Sequence, residues 1–323
     1  EDRVRESLKD LMCRDKHKEK PLYFWSRTAG LQKIYEQQKG ILTRAEEVSD
    51  TQEPESVLSF IAEQKSGIFL LCDFAPYITP YGQNSDAATV FSSALAAPAD
   101  MMNFMKQDIT NKGAVVKPIA FDEWNMWAQN SRQQVSNSSG VFAVIVQGES
   151  IYNKFGMTAR WDLVNGWSNG NDHGLFSGGD EPGIAKWNPR PSFYYMYYFE
   201  KYLGDRMVPS IVQGSSAIKA YSSTYSSGEG AVAIVNISGT AQTVEIKKKN
   251  LRFGARYYWY SLEGGTDNGE FSGKVFVNGS GPSGNAGGPA DYFTISANTA
   301  ATSAGVKVTV PARGAVFVVI DKG

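Results

Sequence analysis

The sequence predicts an α/β plus all-β protein. We expect a small α/β segment, then a partial (β/α) barrel-like domain, then a C-terminal antiparallel β-sandwich. Charge is concentrated at the start, where the first 75 residues hold 26 of the 65 charged residues but only three of the 32 glycines. Helical and strand patterns alternate from there to residue 206, and short apolar segments separated by Gly, Asn and Ser follow. We therefore divide the chain into residues 1–75, 76–206 and 207–323.

Residues 1–75 have the pattern of a small α/β segment. Arg3 to Met12 and Pro54 to Glu63 are amphipathic and predict helices, the second with a proline at an early position. Leu22 to Trp25 and Ile68 to Cys72 are short apolar runs that predict strands.

The middle region alternates in the manner of the closing units of a β/α barrel. We predict helices at Pro98 to Thr110, Val135 to Tyr152 and Pro191 to Leu203, and strands at Val115 to Phe121 and Gly156 to Leu163. A loop rich in Gly, Asn and Asp, from Asn165 to Gly183, separates the last strand from the last helix.

The C-terminal region has seven short apolar segments separated by turn residues, which predicts an antiparallel β-sandwich. The segments are Ile218 to Tyr221, Ala231 to Val235, Thr243 to Ile246, Arg256 to Tyr260, Val275 to Val277, Val306 to Val310 and Val316 to Ile320.

Composition argues against several classes of function. A net charge of −1 and a pI of about 6.3 do not favour a nucleic-acid partner. The two cysteines and the two histidines, Cys13, Cys72, His17 and His173, suit neither a disulfide framework nor a metal site. No apolar run approaches the roughly 18 residues of a membrane span, so we expect no membrane partner, no metal and no cofactor.

The apolar run from Val115 to Phe121 stops at two acids, Asp122 and Glu123. A buried strand that ends in a carboxylate is how a parallel barrel presents a catalytic acid, because the strand ends open into the substrate cleft. Trp124 offers a flat apolar face to a sugar ring, and Asn125 can bond a hydroxyl. An ordinary strand-to-loop junction explains the same pattern equally well.

Four stretches resemble clan A glycoside hydrolases, which are retaining enzymes with a β/α barrel. FDEWNMW at 121–127 is similar to the seventh-strand motif of family 51 α-L-arabinofuranosidases. ARWDLVNGWSNGNDHGLF at 159–176 and WNPRPSFYYMYYFEKYLGD at 187–205 resemble the last strand and helix of such barrels, including those of agar- or porphyran-degrading relatives. YSLEGGTDNGEFSGKVFVNGSGP at 260–282 resembles their C-terminal sandwich. The resemblance covers about 79–323.

This resemblance implies a site. Glu123 would be the nucleophile, because a carboxylate can attack the anomeric carbon and leave again. Trp124, Trp161 and Trp167 would line sugar subsites, and Asn125 and Asp162 would bond hydroxyls. For each tryptophan, packing in the core is an equal alternative. The expected partner is an oligo- or polysaccharide of plant or algal origin.

Residues 1–78 resemble a different family, the N-terminal region of AAA-type ATPases of cyanobacteria and plastids. LYFWSRTAGLQKIY at 22–35 and PESVLSFIAEQKSGIFLLCDFAPYI at 54–78 carry this resemblance. The phosphate-loop pattern G-x-x-x-x-G-K-[ST] does not occur in the sequence, so ATPase activity is not expected.

A second catalytic carboxyl is not evident. A full barrel needs about 200–250 residues, more than the middle region offers. The clan's acid/base Glu follows an Asn, and the sequence has no Asn-Glu dipeptide. The candidates are Glu149, which we expect to face solvent or to cap another group, and Glu181 and Asp172, loop acids that could reach a cleft but that we expect to be solvated. We therefore expect an impaired glycosidase.

Two architectures fit these observations. Either the C-terminal half of a glycosidase is joined to an unrelated α/β segment, which we favour, or that segment supplies strands to the same sheet. An incomplete barrel exposes strand edges, so we expect self-association. If the hydrolase resemblance holds, an extracellular or periplasmic location is expected.

The competing functional class is a non-catalytic carbohydrate-binding or structural protein, using the aromatic run from Tyr257 to Tyr260. Alternation along a strand places Tyr258 and Tyr260 on one face and Tyr257 and Trp259 on the other, so one face belongs to the core. An ATPase-related scaffold is a third class.

Overall fold

The computed structural model describes residues 78–80, 83–111, 113, 115–127, 132–265 and 269–323. The four elements predicted before residue 73 lie outside these residues, and so does the side chain of Asp122. The described part of the chain is a mixed α/β structure with mostly antiparallel sheets, as the sequence predicts at this coarse level.

The chain divides into two compact units. The larger one consists of Ala75–Met102 and Phe121–Gly323, and it contains the site described below. The described residues of the smaller unit lie within Asn103–Ala120.

Three α-helices occur in the described residues. Helix α1 spans Ala87–Asn111 and begins well before the predicted start at Pro98, which lies inside it. The reason is local, since the alanine-rich stretch before Pro98 favours helix and the Asp86 carboxylate accepts the backbone N–H of Thr89 at 2.8 Å. This hydrogen bond lowers the pKa of Asp86. Within this part of the chain, no helix is both long and apolar enough to cross a bilayer.

Helices α2 (Asn137–Tyr152) and α3 (Pro191–Tyr202) confirm the other two helix predictions within two residues. Proline begins α3 at a position where its missing N–H costs nothing. The two helices pack closely because Gly140 of α2 leaves room for the ring of Tyr195, which a side chain there would overlap.

Four short strands surround these helices. Strands β1 (Ala120–Trp124) and β2 (Met157–Arg160) pair with each other. The predicted strand at Gly156 to Leu163 is confirmed but ends at Arg160. Strands β3 (Val164–Asn165) and β4 (Phe176–Ser177) form a parallel pair inside the stretch predicted as a loop.

All seven predicted C-terminal strands form, and two short ones, β5 and β11, are added. They are β5 (Arg206–Val208), β6 (Ile218–Thr224), β7 (Gly230–Asn236), β8 (Gln242–Ile246), β9 (Phe253–Gly264), β10 (Val275–Val277), β11 (Asn298–Ala301), β12 (Val306–Val310) and β13 (Gly314–Lys322). Seven of them form an antiparallel sheet in the order β10-β9-β13-β7-β6-β5, with β11 beside β9. The pair β8–β12 packs against this sheet through a valine- and isoleucine-rich core.

The two faces of the large sheet serve different cores. Tyr257 and Trp259 of β9 face the β8–β12 pair, where their rings stack at 5.2 Å. Tyr260 faces the helices, with its ring 5.0 Å from that of Tyr198. The alternation predicted for this aromatic run is confirmed, and residues on both of its faces pack against a core.

Replacing Ile234, which is 1% exposed in the core under β8 and β12, tests this layering. Ile234→Ala should lower the free energy of unfolding by about 2–5 kcal/mol, because it leaves a cavity between the two sheets. Denaturant unfolding measures the loss. Thr243→Ala, on the exposed face of β8, is the control and should change stability by less than about 0.5 kcal/mol.

Candidate active site

The ends of β1 and β2 are joined by hydrogen bonds that bring the predicted site residues together. The backbone N–H of Trp161 donates to the carbonyl of Trp124 at 3.0 Å, and the side-chain amide of Asn125 donates to the carbonyl of Trp161. The N–H of Ile78 donates to the carbonyl of Asn125 at 2.8 Å. Residues 123–125 and 160–162 therefore share one edge of the structure.

Glu123 is the last residue but one of β1, and its side chain is half-buried. A half-buried carboxylate at a strand end can be reached by a ligand and is still held by its surroundings. This placement suits the predicted role without establishing it.

Trp124 and Asn125 are interior residues. Trp124 is 1% exposed, its ring packs 5.9 Å from that of Phe142, and its indole N–H donates to Thr158. Packing in the core, the alternative to sugar stacking, is the role that the structure shows for Trp124. Asn125 is fully buried, and its amide oxygen accepts the N–H of Met126 at 2.8 Å. Its side chain is committed to the protein backbone and not to a ligand hydroxyl.

Trp161 and Asp162 lie at the surface end of the same arrangement. Trp161 is 42% exposed, so its indole can take a ligand on a free face. One carboxylate oxygen of Asp162 accepts the side-chain amide of Asn165 at 3.0 Å, and the other is buried without a hydrogen-bond partner among the described residues. Burial raises the pKa of Asp162, while Asn165 and Arg160 act in the opposite direction.

Trp167 is half-buried beside two guanidinium groups. The carbons of the Arg132 and Arg190 guanidinium groups lie 5.7 and 5.8 Å from its ring centroid. Its backbone N–H donates to the carboxylate of Asp180 at 2.8 Å. The cations and the backbone hydrogen bond fix the position of this ring.

The loop from Asn165 to Gly183 is organised around a buried arginine. Arg190, 1% exposed at the start of α3, forms ion pairs with both Asp172 and Glu181. The expectation that these two acids are solvated was wrong, because their loop folds back over Arg190 and excludes water from both. Burial raises the pKa of Asp172, against the lowering effect of Arg190.

The carbonyl of His173 connects this loop to the strand ends. It accepts hydrogen bonds from Arg160 Nη1 at 2.7 Å, from the N–H of Asp162 at 3.2 Å and from Asn125 Nδ2 at 3.3 Å. The loop therefore lies directly against the residues that follow β1 and β2.

Arg160 and His173 are buried, and burial lowers the pKa of both side chains. Burial lowers the pKa of Arg160 to about 10, and Nε and Nη2 of its guanidinium have no hydrogen-bond partner among the described residues. Burial and the charge of Arg160 lower the pKa of His173 to about 4, so its imidazole is neutral at pH 7. No group of three or more metal-ligating side chains is close enough to hold an ion in the part of the chain that the structure describes.

Glu149 is half-buried in α2 and has a hydrogen-bond partner in the large sheet. The hydroxyl of Tyr221 in β6 donates to its carboxylate at 2.9 Å. Burial between α2 and the large sheet raises the pKa of Glu149, with Tyr221 and Lys219 acting in the opposite direction. This contact gives Glu149 a structural role.

Sequence reasoning missed Arg190, Arg160 and the carbonyl of His173. A usable signal for Arg190 was present, since an arginine immediately before Pro191 follows a glycine-rich loop that contains several acids. The acceptor role of a backbone carbonyl has no sequence signal.

Comparison with known proteins gives two different kinds of match, one by sequence at the start of the chain and one by structure over most of it. A family model described as "SpoVK-like AAA ATPase, N-terminal domain" matches residues 1–110, further than the predicted limit at residue 78. No curated protein matches the sequence.

Solved structures similar to this chain are glycoside hydrolases. The α-L-arabinofuranosidase of family 51 from Thermotoga petrophila RKU-1 has a TM-score of 0.52 at 14% identity, over 74% of this chain and 50% of its own. A 4-O-α-L-rhamnosyl-β-D-glucuronidase from Fusarium oxysporum 12S has a TM-score of 0.54 at 13% identity, and the match covers 82% of this chain and 56% of that enzyme. The bifunctional glucanase-xylanase CelM2 from a metagenome library has a TM-score of 0.51 at 12% identity, and the match covers 84% of this chain and 48% of that enzyme.

At such low identity the likeness concerns the fold, and the chain spans about half the length of these relatives. The predicted resemblances to clan A glycoside hydrolases and to AAA-type ATPases are both confirmed. The chain therefore has a glycosidase-like fold.

Arg190→Gln tests the ionic cluster. It leaves two buried carboxylates without their cation and should cost about 3–5 kcal/mol at pH 7. Without Arg190, its lowering effect on the pKa of Asp172 is lost and burial raises that pKa further, so the loss should shrink as the pH falls towards about 4 and Asp172 protonates. Chemical unfolding between pH 4 and 8 measures this.

The control is Lys186→Gln, which removes an exposed cation between this loop and α3 and should cost less than about 0.5 kcal/mol at every pH. A deficit in Arg190→Gln that does not depend on pH would contradict the ionic account.

Proposed function

We propose that this protein is similar in function to a retaining glycoside hydrolase. It acts on plant or algal polysaccharide and uses Glu123 as its nucleophile. The observation that carries this proposal is the position of the half-buried Glu123 near the end of β1. The next residue, Trp124, accepts a backbone hydrogen bond from the exposed Trp161, so Glu123 and Trp161 lie at the same strand ends. The glycosidase-like fold of the chain supports it.

The chemistry follows from the carboxylate. Glu123 attacks the anomeric carbon, the glycosidic oxygen leaves, and water later releases the sugar from the enzyme. The first step normally needs a second carboxyl, about 5–5.5 Å away, to protonate the leaving oxygen. Asp172 and Glu181 are paired with Arg190, and Glu149 is bonded to Tyr221.

Impaired activity is therefore part of the proposal. None of those three acids is available as a proton donor, so natural glycosides with poor leaving groups should react slowly. Substrates whose leaving group needs no proton should still form the covalent intermediate with Glu123.

Three further residues are proposed to contact the sugar. Trp161 supplies the stacking face, Asp162 bonds a hydroxyl, and Trp167 borders the next position along the cleft. We propose that Trp124 and Asn125 contribute indirectly, by fixing the ends of β1 and β2 with respect to each other.

We propose the following architecture for the whole chain. Residues 1–75 are a foreign α/β segment, 76–206 correspond to the closing part of a (β/α)8-type barrel, and 207–323 are a β-sandwich. The ATPase-type match at the start of the chain and the partial coverage of each glycosidase support a composite chain, although the ATPase-type match over residues 1–110 extends past the boundary proposed at residue 75. Self-association through exposed strand edges is part of the same proposal.

Covalent labelling tests the nucleophile. The full chain is incubated with an arabinofuranosyl cyclophellitol analogue, and with a galactosyl one, and then digested for mass spectrometry. We expect one adduct, on the peptide that contains Glu123. Glu123→Gln should lose it with little change in thermal stability, because the amide is nearly isosteric.

Glu200→Gln is the matched control, since Glu200 is an exposed glutamate of α3. It should label like the wild type. A folded wild-type protein that forms no adduct with either reagent would reject the glycosidase proposal and favour the non-catalytic carbohydrate-binding alternative.

Trp161→Ala tests the stacking face. Loss of an aromatic platform should reduce the second-order rate of labelling at Glu123 by about tenfold, because aromatic contacts of this kind are worth roughly 0.5–1.5 kcal/mol beyond their buried area. Trp187→Ala, which removes another exposed tryptophan, should leave the rate unchanged. Equal rates for wild type and Trp161→Ala would remove Trp161 from the site.

A further inference from the structure

A cavity lies on the C-terminal β region, where helix α3 ends above the large sheet. It has a volume of about 400 Å³ and is open to solvent on one side. Tyrosines dominate its lining, which comprises Lys201, Tyr202, Tyr225, Tyr258, Tyr260, Ala297, Phe317 and Val319. We call it the tyrosine cleft.

The floor of the cleft follows from the register of β9 and β13. Tyr260 pairs with Phe317, and Tyr258 pairs with Val319, so these four side chains form a grid on one face of the sheet. Helix α3 covers the Tyr260–Phe317 row, where the ring of Tyr198 lies 6.1 Å from that of Phe317. The Tyr258–Val319 row lies beyond the end of the helix at Tyr202 and is only partly buried.

A ring contact and a hydrogen bond hold two tyrosines in the wall of the cleft. Tyr202 stacks on Tyr260 at 4.8 Å with an interplanar angle of 25°, and the Tyr260 hydroxyl donates to the carbonyl of Ile295 at 3.0 Å. The hydroxyls of Tyr225 and Tyr258 make no hydrogen bond to another described residue. Fixed aromatic faces and two free hydroxyls are therefore available to a ligand.

Lys201 supplies the one charged group of the lining. Its ammonium donates to the Tyr197 hydroxyl at 2.8 Å and lies 5.6 Å from the ring centroid of Tyr202. No carboxylate belongs to the described lining. The ligand should therefore combine apolar faces with oxygen acceptors, and need not carry a positive charge.

A saccharide has this combination. The C–H faces of a sugar ring pack on tyrosine rings, while its hydroxyl and ring oxygens accept from Lys201, Tyr225 and Tyr258. Ligand pockets of about 300–1,000 Å³ with aromatic walls and few polar groups are typical of small-molecule sites, and this volume suits one or two sugar units.

We propose that the tyrosine cleft is a non-catalytic saccharide-binding site, formed by other residues than those around Glu123. It would hold a polysaccharide chain on the C-terminal β region. The proposal does not require Glu123 to be a nucleophile, and its test is arranged to separate the two claims.

The test is affinity electrophoresis of the full chain in gels that contain arabinan, xylan or agarose. It uses Glu123→Gln as the background, so that no polymer is consumed. At least one polymer should retard the protein, and Tyr258→Ala should raise the dissociation constant at least tenfold. Tyr258→Phe should have a smaller effect, because it keeps the ring and loses only the hydroxyl.

Phe293→Ala is the control, since it removes an exposed aromatic side chain outside the cleft and should not change retardation. Lys201→Ala is a second variant of the cleft, which replaces Tyr258→Ala if thermal melting shows that Tyr258→Ala does not fold. It should also weaken polymer binding. With Glu123 present, Tyr258→Ala should still accept the covalent label at Glu123, which separates this site from the proposed catalytic one.

Failure of all three polymers to retard the folded protein would overturn the proposal, as would equal retardation of Tyr258→Ala and its background. Sedimentation velocity supplies a third outcome. Loss of self-association in Tyr258→Ala, without any change in polymer binding, would show that the cleft is a contact between copies of this chain and overturn a saccharide site.

Discussion

The position of the candidate site depends on the ion pairs of Arg190 with Asp172 and Glu181. A buried ion pair contributes little net stability, since its desolvation offsets its attraction, but its geometry is specific. Here it fixes a glycine-rich loop, and the His173 carbonyl of that loop accepts hydrogen bonds from Arg160, Asp162 and Asn125. The ends of β1 and β2 and the start of α3 are thereby held as one arrangement.

This arrangement decides which chemistry remains possible. The acids that could have served as proton donors are used to hold the loop or to join α2 to the large sheet. The neutral His173 and the buried Arg160 do not replace them, because neither titrates near neutral pH. Among the side chains that the structure describes, those left at the strand ends are Glu123, the exposed Trp161 and Asp162, whose pKa is raised by burial. These contacts best support a site that has a carboxylate nucleophile and an aromatic face for a sugar, but a weak or missing proton donor.

Periodicity and turn residues predicted most of the described fold. The helices α2 and α3 and seven strands were expected within a few residues, because their apolar patterns match the cores that they enter. Helix α1 was predicted too short, since Pro98 suggested a start although the alanine-rich turns before it were already helical. The burial of Asp172 and Glu181 was missed, because it depends on how their loop folds onto Arg190, and local patterns do not give that fold although Arg190 follows these acids by only 18 and 9 residues. Trp124 shows the same limit, since an aromatic side chain after an acid suits a sugar site and a core equally well.

Reaction with a 2,4-dinitrophenyl glycoside, carrying the same sugar as the reactive label, tests the central claim most directly. Dinitrophenolate leaves without protonation, so a chain with a working nucleophile and no acid should still be glycosylated. We predict a rapid burst of about one equivalent of dinitrophenolate per protein, followed by slow turnover, and no burst with Glu123→Gln. A folded wild-type protein that shows no burst, or a burst that survives Glu123→Gln, would contradict the account.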